Sequence, residues 1–244
     1  MQFGGVRAVG GVSLAIRNEG ITALIGPNGA GKTTFFNALT RLVQPTSGQL
    51  FFRAAGGEME LTAMPPDHIA RAGIARTFQN IRLFTDLSVL DNVKVGLHGR
   101  THGGFWRALS GNRSEERRIT GAALQYLDFV GLADRAAEQS DSLSYGEQRK
   151  LEIARALACG PRLLLLYEPA AGMNPQETQT LVELIRRIRQ AGVTILLIEH
   201  DMKLVMRISD FVYVLDHGEE IARGAPAQVR ADPKVIHAYL GVPD

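Results

Sequence analysis

The chain has 244 residues, 45% of them apolar and 21% charged, with a formal net charge of +2. This composition excludes a disordered or collagen-like chain, and no run approaches the roughly 18 uncharged apolar residues that a membrane span needs. The charge is too small to single out a nucleic-acid binder, and the lone cysteine, Cys159, excludes an intrachain disulfide.

In chain order, the first residues, Met1-Gln2-Phe3-Gly4-Gly5, carry no basic-then-apolar signal segment, so a reducing cytoplasm is the expected compartment. Ile21 to Ile25 reads as a short buried strand. Directly after it, Gly26-Pro27-Asn28-Gly29-Ala30-Gly31-Lys32-Thr33 fits G-x-x-x-x-G-K-[ST] and opens a helix whose apolar face is Phe35, Phe36, Leu39, Leu42 and Val43. Strand, loop and helix in that order are what phosphate binding requires. The glycines let backbone N–H groups turn toward phosphate oxygens, the helix N-terminus favours an anion, and Lys32 reaches the outer phosphates. The Thr33 hydroxyl can ligate Mg²⁺.

Residues 48 to 62 read as a small antiparallel hairpin around Gly56-Gly57. From about residue 81 to 140 helical patterns run without a buried strand, which predicts an inserted helical lobe. Its basic stretch, Arg107, Arg113, Arg117 and Arg118, is interrupted by Glu115 and Glu116 and reads as a solvated helix face rather than a nucleic-acid surface. Ser144-x-x-Glu147 is a capping box, and a helix over Lys150 to Ala158 follows it. Leu163 to Leu166 and Val193 to Ile198 are two further buried strands. Between them Asn174-Pro175-Gln176-Glu177 supplies an N-cap, a proline at the first helical position and an N3 carboxylate. Leu181, Leu184, Ile185 and Ile188 form the apolar stripe of that helix, and Gly192 stops it. Strands alternating with helices predict an α/β fold over a mostly parallel sheet.

Taken with the phosphate loop, Leu143-Ser144-Tyr145-Gly146-Glu147-Gln148-Arg149 resembles the signature loop of the ATP-binding cassette family. The resemblance spans Phe3 to Gly241 and implies a P-loop NTPase core with a small antiparallel β subdomain and a helical lobe. The N-terminal part of the core is then residues 1–78, the lobe 79–145 and the C-terminal part 146–244. ATP and Mg²⁺ are the implied cofactors. Gly26, Pro27, Asn28, Gly29, Ala30, Gly31, Lys32, Thr33 and Thr34 would hold the phosphates. Phe3 would stack on adenine, and Ser144 and Gly146 would face the nucleotide of a second cassette. Thr33 and Gln79, the latter in Phe78-Gln79-Asn80, would meet the metal. Glu168 matches the base that polarises water, His200 the histidine at the γ-phosphate, and Gly172-Met173-Asn174-Pro175 the loop that crosses between cassettes.

Three departures stand out. Tyr167 occupies the place of an aspartate that orients Mg²⁺ through water. A neutral, bulkier phenol is expected neither to balance the cation nor to fit unchanged beside Thr33, and turnover is expected to fall by on the order of 10². Phe3 lies near the start of the chain, where adenine stacking is expected to be weak. Glu147 replaces a more usual glutamine and keeps the capping geometry. Within the family, Leu-Ser-Tyr-Gly, Thr77 to Phe84, Ala170 to Pro175, Ile198-Glu199-His200-Asp201-Met202 and Ala238-Tyr239-Leu240-Gly241 look most like ATPase subunits of branched-chain amino-acid importers. The implied partners are membrane permease subunits and a homologous ATPase subunit, with the chain peripheral at the cytoplasmic face of the inner membrane and no nucleic acid. Lipopolysaccharide-export ATPases, and a nucleotide-binding regulatory subunit with little turnover, are the alternative readings.

Overall fold

The computed structural model describes residues 1–54, 56–98 and 113–240, without the side chains of Phe3, Val6 and Leu240. Arg107 and Gly241 therefore lie outside the described residues, as does the ring of Phe3. Two short strands, β1 (Gln2–Phe3) and β2 (Val6–Arg7), pair at the start. β3 (Ile21–Ile25) follows, buried along its whole length, and leads through the phosphate loop into α1 (Lys32–Leu39). β4 (Phe51–Ala54) and β5 (Gly57–Glu60) form the expected antiparallel hairpin. Next come α2 (Pro66–Arg71) and β6 (Ile74–Arg76), then the lobe helices α3 (Val89–His98) and α4 (Arg113–Val130). The C-terminal part contains α5 (Tyr145–Ala158), β7 (Leu163–Tyr167), α6 (Pro175–Gln190), β8 (Thr194–Ile198) and α7 (Met202–Ile208). It ends in β9 (Phe211–Asp216), β10 (Glu219–Gly224), α8 (Pro226–Ala231) and α9 (Pro233–Leu240).

The main sheet has the order β10-β9-β3-β8-β7-β6, parallel except for the β9–β10 edge. Alternation along the strands decides which layer each side chain enters. Leu164, Leu166, Ile195 and Leu197 face the layer that holds the lobe helices, α5 and α6. Leu163, Leu165, Tyr167, Leu196 and Ile198 face α1 and the hairpin. The lobe is not insulated from the core, because Val93 and Leu127 belong to the same buried cluster as Leu164 and Leu197. Gly96 permits that close packing, since a Cβ there would lie 2.4 Å from the Arg155 carbonyl oxygen.

Two expectations need correcting. α1 is shorter than its apolar pattern predicts: it ends at Leu39, and Leu42 is 53% exposed. Arg41 adopts a left-handed φ of 57°, with Arg41 N–H bonded to Ala38 O and Leu42 N–H to Asn37 O. This is a Schellman closure made without glycine, so the pattern alone does not reveal it. The second is α5, which starts at Tyr145 rather than Lys150, because the Ser144 cap sits directly on its first turn. The edge strand β6 carried no sequence signal of its own. It is three residues long and pairs in parallel with β7, and just before it Gly73 O accepts the N–H groups of both Arg162 and Leu163. Among the described residues no helix is long and apolar enough to cross a membrane.

Candidate functional site

The phosphate loop joins the end of β3 to α1, and two of its glycines, Gly26 and Gly31, are sterically required. Gly26 has φ 150°, and a Cβ there would lie 2.0 Å from Leu215 O. Gly31 caps α1 with φ 92°, and a Cβ there would lie 2.3 Å from Ala8 O. No side chain caps this helix, so its first amide groups are left for an anion. Lys32 is buried and donates to Gly26 O (2.7 Å) and Pro27 O (2.8 Å). Burial pulls its pKa below the ordinary 10.5, and Glu168 opposes that shift.

Asn28 through Thr34 line a cavity of about 260 Å³ with Gln79, Tyr167, Glu168 and His200. Four separate stretches of chain, expected to act together, thus converge on one pocket. Gly26 and Pro27 sit behind it and hold Lys32 through their carbonyls. Glu168 continues the β7–β8 ladder by donating its N–H to Ile198 O (2.8 Å), and has a left-handed φ of 42°. Its Oε1 lies 2.6 Å from His200 Nε2. Ser144 and Gly146 stand elsewhere, at the start of α5, and do not line this cavity. There Ser144 and Glu147 form the reciprocal capping box, so Glu147 keeps the geometry expected of it. Asn174 likewise caps α6, accepting from Gln176 and Glu177 N–H.

Tyr167 is 3% exposed, and its bulk is absorbed rather than misfitted. The ring meets Phe36 edge-on at 5.4 Å between centroids, and its hydroxyl hydrogen-bonds the Thr33 hydroxyl. Burial pushes the phenol pKa above 10, so the group is neutral near pH 7, while the Thr33 bond acts the other way.

Sequence reasoning missed the groups that hold the pocket's loops. Arg149 and Glu152 form a fully buried ion pair in α5 (Nη1–Oε2 2.7 Å). Arg149 also donates to Phe78 O (2.7 Å) and Gln79 O (3.1 Å), and Glu152 accepts from Phe78 N–H (3.1 Å). Their i, i+3 spacing was readable, but it looks the same as a solvated pair. Glu199, 3% exposed, accepts from Ala170 N–H (2.9 Å) and His200 N–H (3.1 Å), and burial raises its pKa above the ordinary 4.5. Arg76 stacks over Phe36 and Phe78 and bonds Asn37 and Thr40, with its pKa lowered by burial to about 10.

A divalent cation such as Mg²⁺ takes oxygen donors and favours anionic ones. Here the Thr33 hydroxyl has the neutral Tyr167 as its partner, Gln79 offers an uncharged amide, and Glu168, the only carboxylate among the described residues lining the cavity, is bonded to His200. Among the described residues no three His, Cys, Asp or Glu side chains cluster to hold a metal. The donor set of this pocket does not fit Mg²⁺.

The sequence pattern of the ABC transporter family matches residues 9–171, and that of the branched-chain amino acid ATP-binding cassette transporters matches residues 219–244. The high-affinity branched-chain amino acid transport ATP-binding protein LivG of Salmonella typhimurium is 47% identical, over 99% of this chain and 94% of its own length. BraF of Pseudomonas aeruginosa, of the same description, is 46% identical over the same shares. Among solved structures, a nucleotide-free ATP-binding cassette from an ABC transporter superposes with a TM-score of 0.85 at 28% identity, covering 99% of this chain and 96% of that one. The ADP conformation of the cassette MJ1267 gives 0.85 at 29% identity over the same shares. The chain therefore belongs to the ATP-binding cassette transporter family and is an ABC-type, transport-coupled ATPase.

Proposed function

We propose that the chain is the ATP-binding subunit of an importer for branched-chain amino acids, peripheral at the cytoplasmic face of the inner membrane. The relatives' descriptions and near-full coverage support this cargo. The observation that carries the mechanism is the convergence of the phosphate loop, Gln79, Glu168 and His200 on one pocket. In this reading the amides of residues 28–34 and Lys32 take the phosphates, and Phe3 stacks on adenine. Glu168 gives Oε1 to His200 and keeps Oε2 to accept a proton from water. His200 then sits beside the transferring phosphoryl group. Ser144 and Gly146 complete the site of a homologous cassette, and the reverse holds for this one. The lobe, residues 79–145, passes closure to the permease subunits, because Arg149 and Glu152 hold the Gln79 loop from within the helix that Ser144 caps.

With Tyr167 in place of a carboxylate, turnover here is expected to be slow relative to nucleotide binding. The presence of Tyr167 beside Thr33 also favours a second reading, a subunit that binds nucleotide and leaves hydrolysis to its partner. The test is uptake of labelled leucine by cells that depend on this chain and its permease subunits, set beside phosphate release by the purified chain. Lys32→Ala is expected to abolish uptake. Tyr167→Asp is expected to speed phosphate release by about a hundredfold. Uptake undiminished by Lys32→Ala overturns the transport role, and equal release by both chains overturns the account of Tyr167.

A further inference from the structure

Two hydroxyls meet on the cavity wall. Thr33 and Tyr167 own two protons between them, and their mutual hydrogen bond uses one, which leaves the other free to donate. The Tyr167 ring cannot move aside easily. It is packed with Phe36, Leu165 and Ile198, and its own N–H is held by Thr77 Oγ1 at 3.1 Å. A cation at the Thr33 oxygen would have as its neighbour a neutral phenol wedged into the core, which supplies no negative charge. An anion there meets the uncapped amides of α1, the Lys32 ammonium and the spare hydroxyl proton together. Around the phosphate loop the pocket presents donors, and its acceptors are the Gln79 amide and Glu168, whose Oε1 is already bonded to His200.

We propose that this chain binds nucleoside triphosphate without a divalent cation, the Thr33–Tyr167 hydroxyl pair donating directly to the outer phosphate oxygens. The inference rests on the nucleotide reading of the pocket and adds to it the chemical form of the ligand, a metal-free triphosphate. It also separates binding from turnover: the site is occupied and holds the cassette in its bound form, with hydrolysis uncoupled from occupancy. Tyr167 is then a binding residue that specifies this ligand form, rather than a damaged metal site.

The test is calorimetric titration of the full-length chain with ATP, once in excess EDTA and once in excess Mg²⁺, for the native protein, Tyr167→Phe and Tyr167→Asp. The native chain is expected to bind equally well or more tightly in EDTA. Tyr167→Phe, which keeps the ring and its packing, is expected to bind about tenfold more weakly in EDTA through loss of the donor. Tyr167→Asp is expected to require Mg²⁺, weakening by about tenfold or more when the metal is chelated. Tighter binding by the native chain in Mg²⁺, by about tenfold or more, overturns the proposal, as does a Tyr167→Phe affinity equal to native. A native chain that binds ATP in neither buffer, beside a Tyr167→Asp chain that binds MgATP, also overturns it while leaving the nucleotide reading intact. If no chain binds under any condition, the nucleotide reading itself fails and takes the proposal with it.

Discussion

The two walls of the pocket are made of different material. One is backbone: the loop from Gly26 to Gly31 and the first turn of α1, where function depends on φ angles and on space for no side chain. The other is side chains at the ends of β7 and β8 and after β6: Gln79, Tyr167, Glu168 and His200. The backbone wall admits little change, because Gly26 and Gly31 abut carbonyl oxygens and Gly29 has a positive φ. The side-chain wall has absorbed a tyrosine where the family resemblance implies a carboxylate, because a ring can pack on Phe36 while its hydroxyl reaches Thr33. Change in such a pocket accumulates on the side-chain wall, and it alters the chemistry without altering the fold.

The largest effect should come from the backbone wall. Gly26→Ala places a methyl group 2.0 Å from Leu215 O, in a backbone conformation that L side chains rarely adopt. The cost is at least about 3 kcal/mol, from overpacking and backbone strain together. For a chain of this size that lowers the thermal unfolding midpoint by roughly 6–12 °C. A midpoint within about 2 °C of native would mean that the loop relaxes freely and the contrast between the walls is lost.

An effect of comparable size should come from the hidden support of the side-chain wall. Arg149→Met leaves Glu152 buried without its cation and strips donors from the Phe78 and Gln79 carbonyls. Breaking such a pair costs about 3–5 kcal/mol if the orphaned charge stays buried, and less where water or protonation relieves it. Adding Glu152→Leu should then restore part of the loss, so the two changes are strongly non-additive in denaturant unfolding. Additive effects would mean the pair contributes packing only. The Gln79 loop would then be positioned by something else.

How much of this was legible follows the same division. The phosphate loop, the capped helix α6 and the buried strands on either side of it could be read directly, because glycine spacing, caps and apolar runs report local geometry. Tyr167 could be recognised as a departure, but not its accommodation. Packing on Phe36 depends on which face of β7 meets α1, a tertiary fact. Arg149, Glu152 and Glu199 were invisible as supports, since a charged residue carries no mark of being buried. The end of α1 was misread for a related reason: Arg41 takes a left-handed conformation that its side chain does not advertise. Local rules found the backbone wall, and only the packed structure shows what braces the other.

The smallest and most specific prediction concerns Glu199, which ties Ala170, two residues past Glu168, to His200 by accepting both backbone N–H groups. Burial raises its pKa above 4.5, against the pull of those N–H bonds. A carboxyl whose folded pKa is raised binds its proton more tightly in the folded state. Its contribution is therefore fully present below pH 4.5 and is lost as pH rises through the folded value. Glu199→Gln has no proton to lose. The variant's stability relative to the native chain should therefore increase with pH above 4.5 and then level off. Denaturant unfolding of both chains across that range measures the difference directly. A difference that stays flat would mean the N–H bonds fully offset burial of the charge, leaving Glu199 ionised in the folded protein. In that case the side-chain wall is held by an anion without strain, and Tyr167 alone separates this wall from one that suits a metal.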